Sequence, residues 1–137
     1  STISGNDFTN NTRGLYFAKY YPNSGFTMGD ITIRDNDFLD TQIGSIYVYI
    51  YASGLSAPID IDANRFVGDV GVLTFDAAAI DIRLRHSFTH APVRVTDNRL
   101  AWSGSFGVAT SAYGVAVRGN GPVEISGNVL DGGAVGG

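Results

Sequence analysis

Glutamate and lysine are almost absent from this sequence, which contains one of each in 137 residues. The exposed faces of α-helices rely heavily on these two residues, so their scarcity argues against ordinary helices. Val, Ile, Thr and aromatic residues are plentiful instead, and they suit the pleated, half-buried surface of a β-sheet. We therefore predict an all-β fold, and the length predicts a single domain spanning residues 1–137.

Cysteine is missing altogether, which excludes disulfide bonds, cysteine-ligated zinc and thiol catalysis. No apolar run approaches the ~20 residues that a membrane-spanning helix needs, so no membrane span is expected. The net charge of −4 disfavours nucleic acid as a partner, because a phosphate backbone binds basic surfaces. The apolar fraction of 44% is nevertheless typical of a folded chain.

An internal repeat runs through the whole chain. Five segments share the pattern apolar-x-apolar-x-x-Asn-x-apolar, with a period of 28–34 residues. The asparagines of the pattern are Asn6, Asn36, Asn64, Asn98 and Asn128. Self-similarity at such a period is typical of solenoids, in which each coil buries its apolar face by stacking on the next. The pattern predicts about five coils.

A second strand-like element follows the first in four of the repeats, and its apolar residues alternate at period two. It begins near Gly14, Ser45, Ala79 and Gly114. No helical stretch of about 10–15 residues separates the two elements, which excludes β–α alternation and leucine-rich repeats.

The repeat resembles the right-handed parallel β-helix family of pectate lyases, alginate epimerases and phage tailspikes. The resemblance covers nearly the whole chain and implies a right-handed parallel β-helix solenoid. It also implies that the five asparagines stack into a hydrogen-bonded ladder at a turn. Asparagine tolerates the left-handed backbone of a sharp turn, and its amide both donates and accepts hydrogen bonds. The resemblance does not imply one particular activity.

Stacking the repeats in register places equivalent residues in columns. Ile3 and Phe8 begin two apolar columns, which we expect to lie in the core. Outward columns on the same strand bring opposite charges together, and we interpret them as solvated ion pairs. The predicted groups are Asp60–Arg94–Glu124 and Arg34–Asp62.

The second strand is predicted to present tyrosine and arginine to solvent. The candidate glycan-binding residues are Tyr47, Tyr49, Tyr51, Asp81, Arg83 and Arg85. Tyrosine rings offer flat apolar faces that suit sugars, and arginine holds a carboxylate or sulfate in bidentate fashion. The alternative interpretation is Tyr–Arg packing across strands, which would only stiffen the sheet.

Two longer insertions, 64–79 and 98–114, lie near this face, and protruding loops of solenoids often carry function. They contain Phe75, Asp76, Trp102 and Phe106. Trp102 either extends an aromatic platform or plugs its loop against the core.

Catalytic chemistry is only weakly indicated. The resemblance to pectate lyases suggests Arg83 or Arg85 as a base, and His86 is a near-neutral proton carrier close by. No metal site or cofactor is predicted. Asp35, Asp37 and Asp40 could supply oxygen ligands to Ca²⁺, but turn chemistry is the favoured explanation of this cluster.

Three functions are left open. The favoured one is a glycan-binding module of a secreted, cell-surface or viral-fibre protein, hence an extracellular location. The second is a polysaccharide lyase, epimerase or depolymerase acting on an acidic glycan through Tyr49, Arg83, Arg85 and His86. The third is a structural spacer. Five coils would stack to only about 24 Å, which is short for a catalytic groove.

We also expect the chain to be a fragment or module of a larger protein, or to self-associate through its ends. Uncapped ends of a solenoid expose apolar surface and unpaired strand edges.

Overall fold

The computed structural model describes residues 1–11, 13–19, 29–40, 44–50, 57–73, 77–84, 90–106 and 112–132. The regular structure in these ranges is entirely β, so they hold no helix long and apolar enough to cross a membrane. The strands are β1 (Thr2–Ser4), β2 (Asp7–Thr9), β3 (Arg13–Lys19), β4 (Ile31–Arg34), β5 (Asp37–Leu39), β6 (Gly44–Ile50), β7 (Ile59–Asp62), β8 (Arg65–Leu73), β9 (Ala77–Leu84), β10 (Val93–Thr96), β11 (Arg99–Phe106), β12 (Ala112–Arg118), β13 (Val123–Ser126) and β14 (Val129–Gly132).

These strands form three parallel sheets, in which neighbouring strands come from successive repeats. Sheet A has the order β1-β4-β7-β10-β13, sheet B has β2-β5-β8-β11-β14, and sheet C has β3-β6-β9-β12. The all-β prediction is confirmed for the described residues, and the stacked parallel sheets are compatible with a parallel β-helix.

The strand register confirms both predicted apolar columns. In sheet A the column runs through Ile3, Ile33, Ile61, Val95 and Ile125. In sheet B it runs through Phe8, Phe38, Phe66, Leu100 and Leu130. The rings of Phe38 stack on those of Phe8 and Phe66, with centroids 4.9 Å apart in both pairs.

The core is best formed in the middle repeats. Ile33, Phe38 and Phe66 are fully buried there, and each side chain of this kind stabilises the fold by about 1.5–3 kcal/mol. In the last repeat the prediction of a core position is wrong, since Ile125 is 52% and Leu130 is 61% exposed. The physical reason is that no described strand lies over β13 and β14.

The five repeat asparagines, here called the asparagine row, form a continuous series of hydrogen bonds. Asn64 donates from its backbone N–H to Asn98 Oδ1 at 2.9 Å and from Nδ2 to the same oxygen at 3.0 Å. Its Nδ2 also donates to the carbonyls of Ile33 and Asp62. The same pattern links every successive pair in the row, which fits the predicted ladder.

The left-handed position of this turn is not the asparagine itself, contrary to the expectation. Positive φ angles occur at the residue before each asparagine. These residues are Gly5 (65°), Asp35 (54°), Ala63 (51°), Asp97 (53°) and Gly127 (66°). The turn therefore reverses one residue earlier, and the asparagine keeps ordinary backbone angles while its side chain reaches its neighbours.

The two insertions lengthen sheet B. β8 and β11 continue through them side by side, as far as the pair Phe106–Leu73, with one irregularity between Ser103 and Ser105. Over their described part the insertions are therefore paired strands and not irregular loops.

Candidate functional site

The outer face of sheet C carries the aromatic and basic residues that the sequence predicts. The register forms one column through Tyr16, Tyr47, Asp81 and Ala116, and a second through Ala18, Tyr49, Arg83 and Arg118. Four of the predicted site residues, Tyr47, Tyr49, Asp81 and Arg83, are thus brought together. Tyr51, Arg85 and His86 lie outside the described residues.

Three tyrosine rings form a stack on this face. Tyr16 and Tyr47 lie parallel with their centroids 5.2 Å apart, and Tyr47 and Tyr49 follow at 6.2 Å with 14° between their planes. Tyr16 is 46% exposed, while Tyr47 and Tyr49 are half-buried. The stack, called here the tyrosine stack, therefore leaves aromatic surface open to solvent.

Two arginine side chains lie close to the rings of the stack. The Cζ atom of Arg13 lies 5.3 Å from the Tyr16 centroid and 5.2 Å from that of Tyr47. The Cζ atom of Arg83 lies 5.4 Å from the Tyr47 centroid. At these distances a guanidinium is attracted by the ring quadrupole.

Arg13 is a site residue that the sequence reasoning missed. Alternate residues of a strand point to the same side of the sheet, so Arg13 is expected on the side of Leu15 and Phe17, which pack against the core. Arg13 is exposed instead. The signal that could have found it is the adjacent Gly14. A Cβ atom on Gly14 would lie 2.6 Å from the Phe38 ring and from the Ser45 carbonyl oxygen, so the strand begins in tight contact with the core.

Arg83 is held by Asp81. The Nε of Arg83 donates to both carboxylate oxygens at 3.1 and 3.0 Å, and Nη2 donates to Oδ2 at 2.7 Å. The Asp81 side chain is only 11% exposed, so the pair is partly shielded from water. This hydrogen bonding raises the pKa of Arg83, which favours the charged form. A general base needs the neutral form, so the environment of Arg83 does not favour that role.

Tyr47 stands at the centre of the site and has a perturbed ionisation. Burial is the main cause and raises the pKa of its phenol, because the phenolate would lose hydration. The positive charge of Arg83 acts in the opposite direction, and the negative charge of Asp81 acts in the same direction as burial. The neutral phenol, a hydrogen-bond donor and acceptor, is thus stabilised.

The outer face of sheet A is built differently. Arg94 donates to Asp60 at 2.9 Å, which confirms that predicted contact. The Arg34–Asp62 pair is wrong, because Arg34 faces Asp35 at 3.8 Å and Asp62 accepts from the Thr96 hydroxyl. Glu124 likewise accepts from Ser126. Short polar contacts on this face therefore replace part of the predicted charge pairing.

The acidic cluster near β5 serves the turns. Asp35 and Asp40 have positive φ angles, and Asp37 pairs with Arg65 at 3.3 Å. Within the described ranges, no three His, Cys, Asp or Glu side chains are grouped as metal ligands would be. Calcium binding, the less favoured explanation of this cluster, is not tested by these contacts.

The remaining candidates are either buried or outside the described part of the chain. The second histidine of the sequence, His90, is the other near-neutral proton carrier and is 3% exposed. Phe75, Asp76 and the side chains of Trp102 and Phe106 are outside the description. Comparison of the chain with protein-family models, curated proteins and solved structures gave no significant match.

Proposed function

We propose that the chain is a carbohydrate-binding module that presents the outer face of sheet C to a glycan. The observation that supports this most directly is the tyrosine stack, with Tyr16 exposed at 46% and arginines against its rings. Aromatic rings exposed on a sheet provide apolar platforms for sugar rings, and the hydroxyl edges can exchange hydrogen bonds with sugar hydroxyls.

The fold and setting that we propose follow the sequence resemblance. The chain is taken as one right-handed parallel β-helix module of about five coils, within a secreted, surface or viral-fibre protein. The regular parallel stacking and the asparagine row support this fold. Self-association through the ends is part of the same proposal, and the exposed Val123, Val129 and Leu130 support it.

A glycan array on the 137-residue chain, followed by calorimetric titration with the best binder, tests the proposed function. Tyr16→Ala and Tyr49→Ala each remove a ring from the stack, and we expect each to weaken binding by about tenfold, or ~1.4 kcal/mol. Arg94→Ala on sheet A is the control and should leave the affinity unchanged. Absence of any glycan binding, or equal losses in all three variants, would contradict the proposal.

A structural spacer is the second candidate, and a specific observation favours it. The side chains of this face contact one another: Tyr47 stacks on Tyr16 and lies near Arg13, and Arg83 pairs with Asp81. The face therefore satisfies many of its own interactions without a ligand. A spacer predicts that Tyr47→Ala lowers the melting temperature while no glycan binds at any concentration tested.

An enzyme acting on an acidic glycan, through Arg83, Arg85 and His86, stays a separate prediction. Incubation of the chain with polyuronates, with ultraviolet detection of unsaturated products, tests it. Unsaturated products that Arg85→Ala abolishes would support the enzyme, whereas products formed equally by the variant would count against these residues.

A further inference from the structure

The two arginines on the tyrosine stack differ in what their hydrogen-bonding edges contact. Arg83 has its Nε and Nη2 engaged with the Asp81 carboxylate. Arg13 lies with its guanidinium near the Tyr16 and Tyr47 rings, and within the described residues no carboxylate pairs with it. A guanidinium carries five N–H donors in a planar fork, so an arginine without a carboxylate partner keeps donors that a ligand can use.

The charges on the outer face of sheet C also fail to balance. Its described side chains include the guanidinium groups of Arg13, Arg83 and Arg118, and only the carboxylate of Asp81 opposes them. Arg118, beside Arg83 in the register, is exposed and likewise has no carboxylate partner in the described ranges. Two positive charges are therefore uncompensated among the described side chains of this face, although the chain as a whole has a net charge of −4.

From these contacts we infer that the outer face of sheet C selects an anionic glycan, and that Arg13 is its specificity-determining residue. Arg13 donates a bidentate pair of hydrogen bonds to a carboxylate or sulfate of a sugar that lies on the tyrosine stack. Arg83 is a positioning residue, since it holds Tyr47 while Asp81 compensates its charge. This inference rests on the proposed glycan-binding function.

The position of Arg118 adds a second charge at the far edge of the site. β3 and β12 are the outer strands of sheet C, three strand steps apart, which is roughly 14 Å at the usual strand spacing. In the register Arg118 is level with Ala18, five residues beyond Arg13, which adds roughly 17 Å along the strand direction. A glycan chain with repeated negative charges can thus run diagonally across the strands, with one charge near Arg13 and another near Arg118. The site takes a polyanionic oligosaccharide better than a sugar with a single charge.

A matched set of oligosaccharides tests this inference by calorimetry at low salt. The probes are a hexuronate oligosaccharide, its carboxyl-reduced neutral counterpart, and a sulfated form of that counterpart. We expect the wild-type chain to prefer the acidic forms by about tenfold or more, as charge-assisted hydrogen bonds of ~1.5–3 kcal/mol imply. Whichever of the uronate and the sulfated form binds more tightly identifies the anion.

Three variants separate Arg13 from Arg83. Arg13→Gln should remove most of the preference for acidic probes while affinity for the neutral probe changes about twofold at most. Arg83→Gln should weaken the neutral probe as well as the acidic ones, because it disturbs Tyr47, and the carboxylate of Asp81 that it leaves without a partner adds a smaller loss for the acidic probes. Asp81→Asn should increase the preference, since it releases the guanidinium of Arg83.

Arg99→Gln is the matched control. Arg99 is an exposed arginine of sheet B, so its substitution changes the net charge by the same amount on another face. It should leave all affinities unchanged. Binding without any acidic preference, or a preference lost in Arg83→Gln and kept in Arg13→Gln, would overturn the inference alone. Failure of every probe to bind would overturn the proposed function as well. Circular dichroism on each variant verifies that it is folded.

Discussion

The asparagine row and the outer face of sheet C follow opposite rules within the same repeats. Every repeat contributes the same asparagine to the row, and its middle members, Asn36, Asn64 and Asn98, are almost fully buried. On the outer face of sheet C the equivalent positions change from Tyr47 to Asp81 along one column and from Tyr49 to Arg83 along the next, and Tyr47, Tyr49 and Arg83 are partly exposed. In a solenoid the residue type must stay the same at positions where neighbouring repeats contact each other, and it can vary at positions that face water. Variation combined with exposed aromatic and charged groups therefore marks the candidate site.

The largest expected effect distinguishes these two regions. Asn64→Ala removes a side chain that donates to the Ile33 and Asp62 carbonyls and accepts from Asn36. Several buried groups lose their partners, so we expect a loss of about 3 kcal/mol in the free energy of unfolding, measured with urea. Asn6→Ala at the exposed start of the row is the control and should cost about 1 kcal/mol. Equal losses of unfolding free energy in the two variants would show that burial does not strengthen the asparagine row. A changed glycan affinity in folded Asn64→Ala would show that the row and the outer face of sheet C are energetically coupled.

Two ion pairs, one on each outer face, give the next comparison. The side chains of Arg83 and Asp81 are 37% and 11% exposed, whereas those of Arg94 and Asp60 are 43% and 32% exposed. Arg83→Ala leaves a shielded carboxylate without its partner and should cost about 1–2 kcal/mol. Arg94→Ala should cost less than about 1 kcal/mol, because water and salt screen its pair. The reverse order in urea denaturation would mean that the sheet A pair is the more important one.

A smaller effect tests the backbone of the turn. Ala63 adopts a φ of 51°, a conformation that costs a residue with a Cβ about 1 kcal/mol. Ala63→Gly should therefore raise the free energy of unfolding by up to about 1 kcal/mol. The same substitution at Ala18, in β3 on the outer face of sheet C, should lower it by about 0.5–1 kcal/mol, since glycine weakens a strand. If thermal denaturation showed that both substitutions raise, or both lower, the melting temperature, this account would be contradicted.

The parts of the fold that repeat were predictable from the sequence, and the reason is the constant spacing. One alignment of the repeats placed Ile33 beside Ile61 and Phe38 beside Phe66, because parallel strands in register convert equal sequence positions into contacts. It also placed Tyr47 next to Asp81 and Tyr49 next to Arg83. The candidate face could therefore be outlined before any coordinates were known.

Contacts that depend on side-chain reach or local bends were not predictable. Arg13 has the parity of a core position, yet its guanidinium lies near the Tyr16 and Tyr47 rings. Register likewise favoured Arg34 with Asp62, yet Arg34 lies nearer to the following residue, Asp35. Period-two alternation predicts the side of the sheet to which the Cβ atom of a residue points. From there a long, flexible side chain such as arginine can reach several partners.

The smallest expected effect concerns the ionisation of Tyr47. Burial raises the pKa of this phenol in the folded chain, so the folded state keeps its proton to a higher pH than the unfolded state, where the pKa is about 10. The folded state then binds more protons than the unfolded state, and the free energy of unfolding must fall as pH rises above about 10. The contribution is complete below the unfolded pKa and is lost as pH passes through the folded value. Tyr47→Phe keeps the ring between Tyr16 and Arg83 but cannot ionise, so urea denaturation from about pH 9 to 11 should show a flatter decline in this variant. Parallel declines in the two proteins would mean that Tyr47 ionises alike in the folded and unfolded chains, and that the centre of the candidate site is no drier than the exposed tyrosine surface around it.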